Sequence, residues 1–213
     1  MIGPARVAAF HILTAVSSGQ ADLSSAIADG RSRLADDRDR ALAADIATGV
    51  QRWRAALDHV IAAFSKRPVE RLDREVLEIL RLSAYQILHH DRVPASAIVD
   101  DAVSMTRRAG KGSASGFVNA VLRNISRKRA ALPLPPQPAD PGDREAALDH
   151  LSITWAHPRW LVARWYARLG FDAALRWVRF NDSPAPLTLR RNPLRVTREE
   201  LLTRMSAENV TIV

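Results

Sequence analysis

Prolines at 133, 135, 136, 138 and 141 constrain the fold more than any other feature of this chain. Each proline removes a backbone donor and locks φ, so such a cluster can neither continue a helix nor join a sheet ladder. The run from Ala131 to Asp143 therefore reads as a stiff linker. It divides the 213 residues into a domain over 1–130 and a second module over 144–213.

Apolar spacing makes the first domain all-helical. Val7, Phe10, Ile12, Leu13 and Val16 give an amphipathic first helix, and Leu23 to Ala28 a short second one. Asp36 and Asp37 open a third, where acidic groups suit the positive end of the helix dipole. From Asp39 to Phe64 the residues Leu42, Ile46, Val50, Trp53, Leu57, Val60, Ile61 and Phe64 keep a buried stripe, with a break possible near Arg52. Asp73 begins a helix whose inward residues are Val76, Leu77, Leu80, Ala84, Ile87 and Leu88, and Pro94 stops it. Ser96 to Arg108 follows, with Ile98, Ala102, Val103 and Met105 as core. A glycine- and serine-rich turn then leads into a last helix built on Phe117, Val118, Val121, Leu122 and Ile125, with a Ser side chain as its expected cap.

Charge is not spread evenly. The chain carries a formal +8, yet residues 1–101 hold 13 basic and 14 acidic groups. Residues 102–130 hold seven basic groups and no acidic one, and residues 155–195 hold eight basic and two acidic. Clustering of this kind suits a polyanion, because each cation that meets a phosphate releases condensed counterions. Nucleic acid is favoured over an anionic membrane: no stretch has the apolar length of a span, and none puts Trp, Phe and Leu opposite a Lys-rich face over a long run. There is no cysteine, which excludes disulfides, thiolate metal sites and a cysteine nucleophile. The six histidines show no ligand spacing, and the carboxylates form no acid/base pair. The apolar N-terminus fits a first helix better than a signal peptide, so a cytoplasmic protein is expected.

Beyond the prolines the character changes. Arg144 to Ile153 reads as a helix, and Pro158 suits the first turn of another whose face is Trp160, Leu161, Trp165 and Leu169. Asp172 starts a further helix through Leu175, Val178 and Phe180. Pro186 to Asn192 reads as a strand, Thr197 caps a helix over Arg198 to Ala207, and Val210 to Val213 reads as a second strand. This makes a mostly α protein with an incomplete α+β module. A chain stopping inside an apolar strand leaves an unpaired edge, so the natural protein is expected to continue past Val213.

The pattern LRLSAYQILHHDRVPASAIVDDAVSMTRR, followed by GFVNAVLRNI, resembles the NusB-type RNA-binding domain. WAHPRWLVARWYARLG and then FNDSPAPLTLRRN resemble the segment after such a domain in the NusB-fused RNA (cytosine-5)-methyltransferases of the RsmB type. The resemblance covers nearly the whole chain, and the ordered pair is far more specific than either motif alone. It implies a NusB-like helical domain that docks RNA, with 16S rRNA as partner, for a methyltransferase domain that binds S-adenosylmethionine and supplies a cysteine. That domain is missing here: there is no cysteine and no glycine-rich strand-to-helix loop, and Gly110 to Gly116 fails as a phosphate loop because Gly112 stands where Ser or Thr is needed. No cofactor is therefore expected in this chain and no catalytic residue is carried over; a monomer is expected. The alternatives are a stand-alone NusB-like antitermination factor and a helical protein-interaction domain.

The candidate RNA contacts follow from charge and resemblance together. Arg6 matches a position where NusB-like domains present basic residues to RNA, although a lone arginine also suits a solvated helix start. Asn119, Arg123 and Arg127 form a polar stripe opposite the apolar face of the last basic helix, which Lys128 and Arg129 close. Asn119 has a competing reading, tying a neighbouring loop through its amide. Arg107, Arg108 and Lys111 flank the glycine turn and are expected to share a surface with that helix. Arg190, Arg191 and Asn192 match an LRxN pattern, with Arg191 where an apolar residue is more usual. For Trp155, Trp160, Trp165 and Trp177, helical spacing favours core over base stacking.

Overall fold

A computed structural model describes residues 2–183, 188, 190–208 and 210. Most of its helices start where short polar side chains or proline can take over the unsatisfied first turn. Pro4 sits in the first turn of α1 (Pro4–Ser17). Asp22 caps α2 (Leu23–Ser32) and Asp36 caps α3 (Asp37–Arg52). Trp53, at φ −95° and ψ 14°, separates α3 from α4 (Arg54–Ser65). Asp73 accepts the Glu75 and Val76 amides to open α5 (Arg74–His89), Pro94 precedes α6 (Ala95–Arg108), and a 3₁₀ turn at Gly112–Ala114 leads into α7 (Ser115–Arg127).

α5 is the axis of the first core. Every residue from Val76 to Ile87 is buried, polar ones included, so the one-sided pattern expected from sequence understates its burial. Arg81, Gln86 and one oxygen of Glu78 are tolerated there because they are partnered. Arg81 binds Asp58 on α4 and Glu78 on its own helix, while Gln86 donates to the Leu82 carbonyl and accepts from Arg6. Tyr85 packs so closely on α3 that a Cβ on Gly49 would lie 2.0 Å from its ring. Around α5, residues such as Leu13, Ile46, Ile61, Ile98, Leu122 and Ile125 complete the core. At the head of α7 the expected serine cap is absent: Ala114 is the cap residue, and the Ser115 hydroxyl is buried.

The proline segment is tied down rather than loose. Leu132 and Leu134 pack on the first core, and the His59 ring donates to the Pro133 carbonyl at 2.9 Å. His150 Nδ1 and Thr154 Oγ1 both donate to the Pro135 carbonyl, at 2.9 and 2.7 Å. Proline lacks a donor but keeps its acceptor, and side-chain donors from both flanking segments use it. Consistently, the first compact unit runs from Met1 to Asp182, past the expected linker, and the second is Ser183–Val213.

Within the first unit, α8 (Arg144–Asp149) runs into a π-helical turn, His150–Thr154. α9 (Arg159–Asp182) is two arms meeting at Gly170, whose φ of 72° suits glycine. The arms double back, since Trp165 and Trp177 touch with centroids 6.3 Å apart. A second small core forms from Leu148, Leu151, Val162, Phe171, Leu175 and Val178. The expected inward face of Trp160 and Leu169 is corrected here: both are exposed, because the reversal turns Val162 inward instead. In the second unit, Thr197 and Glu200 form a reciprocal capping box for α10 (Arg198–Ala207). Thr188, Arg190, Arg191 and Asn192 are not in a strand; the rest of that expected strand, and all of the second except the non-strand Val210, lie outside the described residues. Among the described residues no helix is long and apolar enough to cross a membrane.

Candidate nucleic-acid interface

α6 and α7 form an antiparallel hairpin. The end of α7 lies beside the start of α6, where Arg123, Ser126 and Arg127 line a groove of about 300 Å³ with Ala95, Ser96 and Val99. Burial of Val118, Val121, Leu122 and Ile125 against α5 and α6 fixes which face of α7 is left to water. That face carries Arg123 and Arg127, and Lys128 and Arg129 follow at its end, all four exposed.

Two asparagines orient the arginines. Arg123 Nε donates to Asn119 Oδ1 at 2.9 Å, and Arg127 Nη2 to Asn124 Oδ1 at 2.6 Å. Neither contact neutralises charge, so each guanidinium keeps its full positive charge and further N–H groups for an outside acceptor. The half-buried Asn119 amide thus binds Arg123 within its own helix, where the competing reading had it tying a neighbouring loop. Asn124, which sequence reasoning passed over, holds Arg127 in the same way farther along the helix.

The remaining sequence candidates divide by what holds them. Arg107 and Arg108 are exposed at the last turn of α6. The hairpin puts them at its other end, about 20 Å from Arg127 at helical rise. The basic segment is thus two clusters, one at each end of the hairpin, rather than one patch. Lys111 is engaged: its Nζ donates to Asp73 Oδ2 at 2.5 Å and lies 3.6 Å from Glu75, pinning the glycine turn to the cap of α5. The hydrogen bond to Asp73 raises the lysine's pKa. Burial pushes Asp73 up, but the hydrogen bonds it accepts, that from Lys111 foremost, leave it below the usual carboxylate range.

Arg6 is more deeply engaged. Its side chain is 15% exposed, donating to Gln86 at 2.8 Å and to Asp101 at 3.0 Å, so it clamps α1 to α5 and α6. In the second unit Arg190 is exposed, Arg191 donates to the Val196 carbonyl at 2.8 Å, and Asn192 accepts the Leu194 amide at 3.0 Å.

Among the described residues, the glycine-rich segment is the one the sequence offers for comparison with an S-adenosylmethionine loop. Gly110 to Gly116 joins two helices, and its amides are used inward: Gly110 donates to the Arg107 carbonyl, Lys111 to Thr106 and Ala114 to Lys111. The first two close the end of α6 and the third closes the 3₁₀ turn, so the segment does not fit a cofactor cradle. Among the described residues no group of side chains is arranged to hold a metal ion.

Known proteins resemble this arrangement in two blocks. The model of the NusB family matches residues 3–127, and that of the RsmF/B-like methyltransferase ferredoxin-like domain matches residues 157–213. The probable ribosomal RNA small subunit methyltransferase B of Bacillus subtilis is 32% identical over 182 residues, covering 85% of this chain and 39% of that protein. The ribosomal RNA small subunit methyltransferase B of Pseudomonas putida is 36% identical over 156 residues, covering 73% and 33%. The chain therefore spans well under half the length of these relatives. A solved NusB of T. maritima superposes with a TM-score of 0.56 at 22% identity, covering 60% of this chain and 94% of that one, which supports the fold. With the family match extending over more than half its length, and with the helical fold to go with it, the chain belongs to the NusB family.

Proposed function

We propose that this chain docks structured RNA, with the end of α7 as the primary contact, on behalf of a small-subunit rRNA methyltransferase. The observation that carries the reading is the exposed row Arg123, Arg127, Lys128 and Arg129, set on a buried helix and neutralised by no carboxylate among the described residues. Arg107 and Arg108, at the opposite end of the hairpin, give a second foothold for a phosphate backbone running along it. Such contacts position RNA and carry little sequence information; loops and unpaired bases would supply that. The finer reading is a monomer that delivers 16S rRNA to a catalytic domain using S-adenosylmethionine to methylate C5 of cytosine. It is supported by the names of the relatives and by the ferredoxin-like match after the helical domain. A stand-alone antitermination factor has no need of that second match.

Fluorescence anisotropy with fragments of 16S rRNA tests the proposal. Affinity should fall steeply between about 50 and about 200 mM salt. Replacing Arg123 and Arg127 together by Ala should weaken binding and lower the salt slope by about 1.5 to 2. Unchanged affinity in either experiment sinks the reading.

A further inference from the structure

The arms of α9 carry large aromatic rings on the outside. Trp160 is 69% exposed, Phe180 68% and Trp177 48%. The face that α9 packs inward is made by Val162, Phe171, Leu175 and Val178, so these rings are not what holds the small core together. Cations share these arms with them. Arg164 and Arg168 stand four and eight residues after Trp160, on one stripe of the first arm, and Arg176 stands four before Phe180 on the second. All three arginines are exposed. Asp172 stands four residues before Arg176 on the second arm, and the α8 carboxylates Glu145 and Asp149 are held by Arg144 and Arg159.

We propose that the outer face of α9 is a stacking platform for unpaired RNA bases, with Arg164, Arg168 and Arg176 on the flanking phosphates. The inference rests on the RNA-docking reading above and adds a second surface of different chemistry. Exposed rings and exposed cations on the same arms select a polyanion that also offers a flat π-face at every unit, which single-stranded nucleic acid does and an acidic peptide does not. The second arm is pre-organised for it. Half-buried Trp165 meets Trp177 edge-on at 6.3 Å, and Trp177 meets Phe180 at 6.2 Å, so the outer ring is set before a base arrives.

The test compares the whole chain with Trp160→Ala, Phe180→Ala and Phe180→Tyr, titrated with an oligouridylate of about 12 nucleotides and with a duplex RNA. Circular dichroism on each variant checks that α9 is intact. Each alanine variant should weaken single-strand binding about 5-fold or more, leave duplex binding within about 2-fold and leave the salt slope unaltered, while Phe180→Tyr retains affinity. If both alanine variants bind the oligouridylate like the parent while the Arg123, Arg127 double variant loses RNA, the platform is overturned and the docking reading stands. If the parent binds neither RNA, both fall. If Phe180→Ala changes only self-association of the chain, the face covers protein and the platform is overturned.

Discussion

Arg81 holds Asp58 through two parallel hydrogen bonds, Nε to Oδ1 at 2.7 Å and Nη2 to Oδ2 at 2.8 Å, joining α5 to α4. Paired geometry of this kind is the strong form of an ion pair, and it lets a guanidinium sit inside a helical core. Replacing Asp58 by Ala leaves the cation with Glu78 as its partner inside that core. The expected loss is about 3 kcal/mol, read by urea denaturation. A loss under about 1 kcal/mol would mean that water takes over the carboxylate's place.

Glu78 gives the core a pH dependence. The side chain is 1% exposed with one oxygen, Oε2, unsatisfied, and burial raises its pKa above 4.5 even though Arg81 pulls the other way. A raised folded value means that the folded state holds the proton more tightly than the unfolded one. Its contribution is complete below the unfolded value of 4.5 and is lost as pH rises through the folded value. Glu78→Gln removes the titration. Relative to the parent it should gain stability as pH rises from about 4 to about 8, by urea denaturation at each pH; a constant difference would contradict this.

Arg6 and Arg123 should separate stability from binding. Arg6→Ala breaks the clamp of α1 on Gln86 and Asp101 and should cost about 2 kcal/mol, with RNA affinity within about 2-fold of the parent. Arg123→Ala should do the reverse. Parallel thermal melts and RNA titrations would show a failure as a matched loss in both measurements.

Gly49 is a packing position. Alanine there would place its Cβ inside the Tyr85 ring, which must move, at a cost of about 1–3 kcal/mol. The second substitution Tyr85→Leu should recover some of that loss in a double-mutant cycle. Purely additive losses would show that the ring and the glycine do not oppose each other.

Local signals carried most of the helix starts. Asp36, Asp73 and the Thr197 to Glu200 box each act within three residues of themselves, so sequence suffices to read them. The burial of α5 was illegible, because Glu78, Arg81 and Gln86 look like a solvated face until partners such as Asp58 and Arg6 arrive from distant helices. The same holds for the site. Nothing near Lys111 announces that Asp73, 38 residues away, will bind it, or that Asp101 will bind Arg6 from 95 residues away. Arg107 and Arg108 are close to α7 in sequence, but the hairpin sends Arg127 away from them. Trp160 was misplaced because periodicity gives a helix face without saying which side the chain will double back on at Gly170.

The anchored proline segment also decides where this polypeptide can be cut and rejoined. Its composition invites a junction near 131–143 for grafting the helical domain onto another protein. Such a cut would strip Leu132 and Leu134 from the first core and leave His59 and His150 without their carbonyl acceptors. A junction after Asp182, at the boundary of the first compact unit, keeps all of these partners together. The most visible seam of this chain is also a row of acceptors and apolar contacts that the residues on both sides of it use.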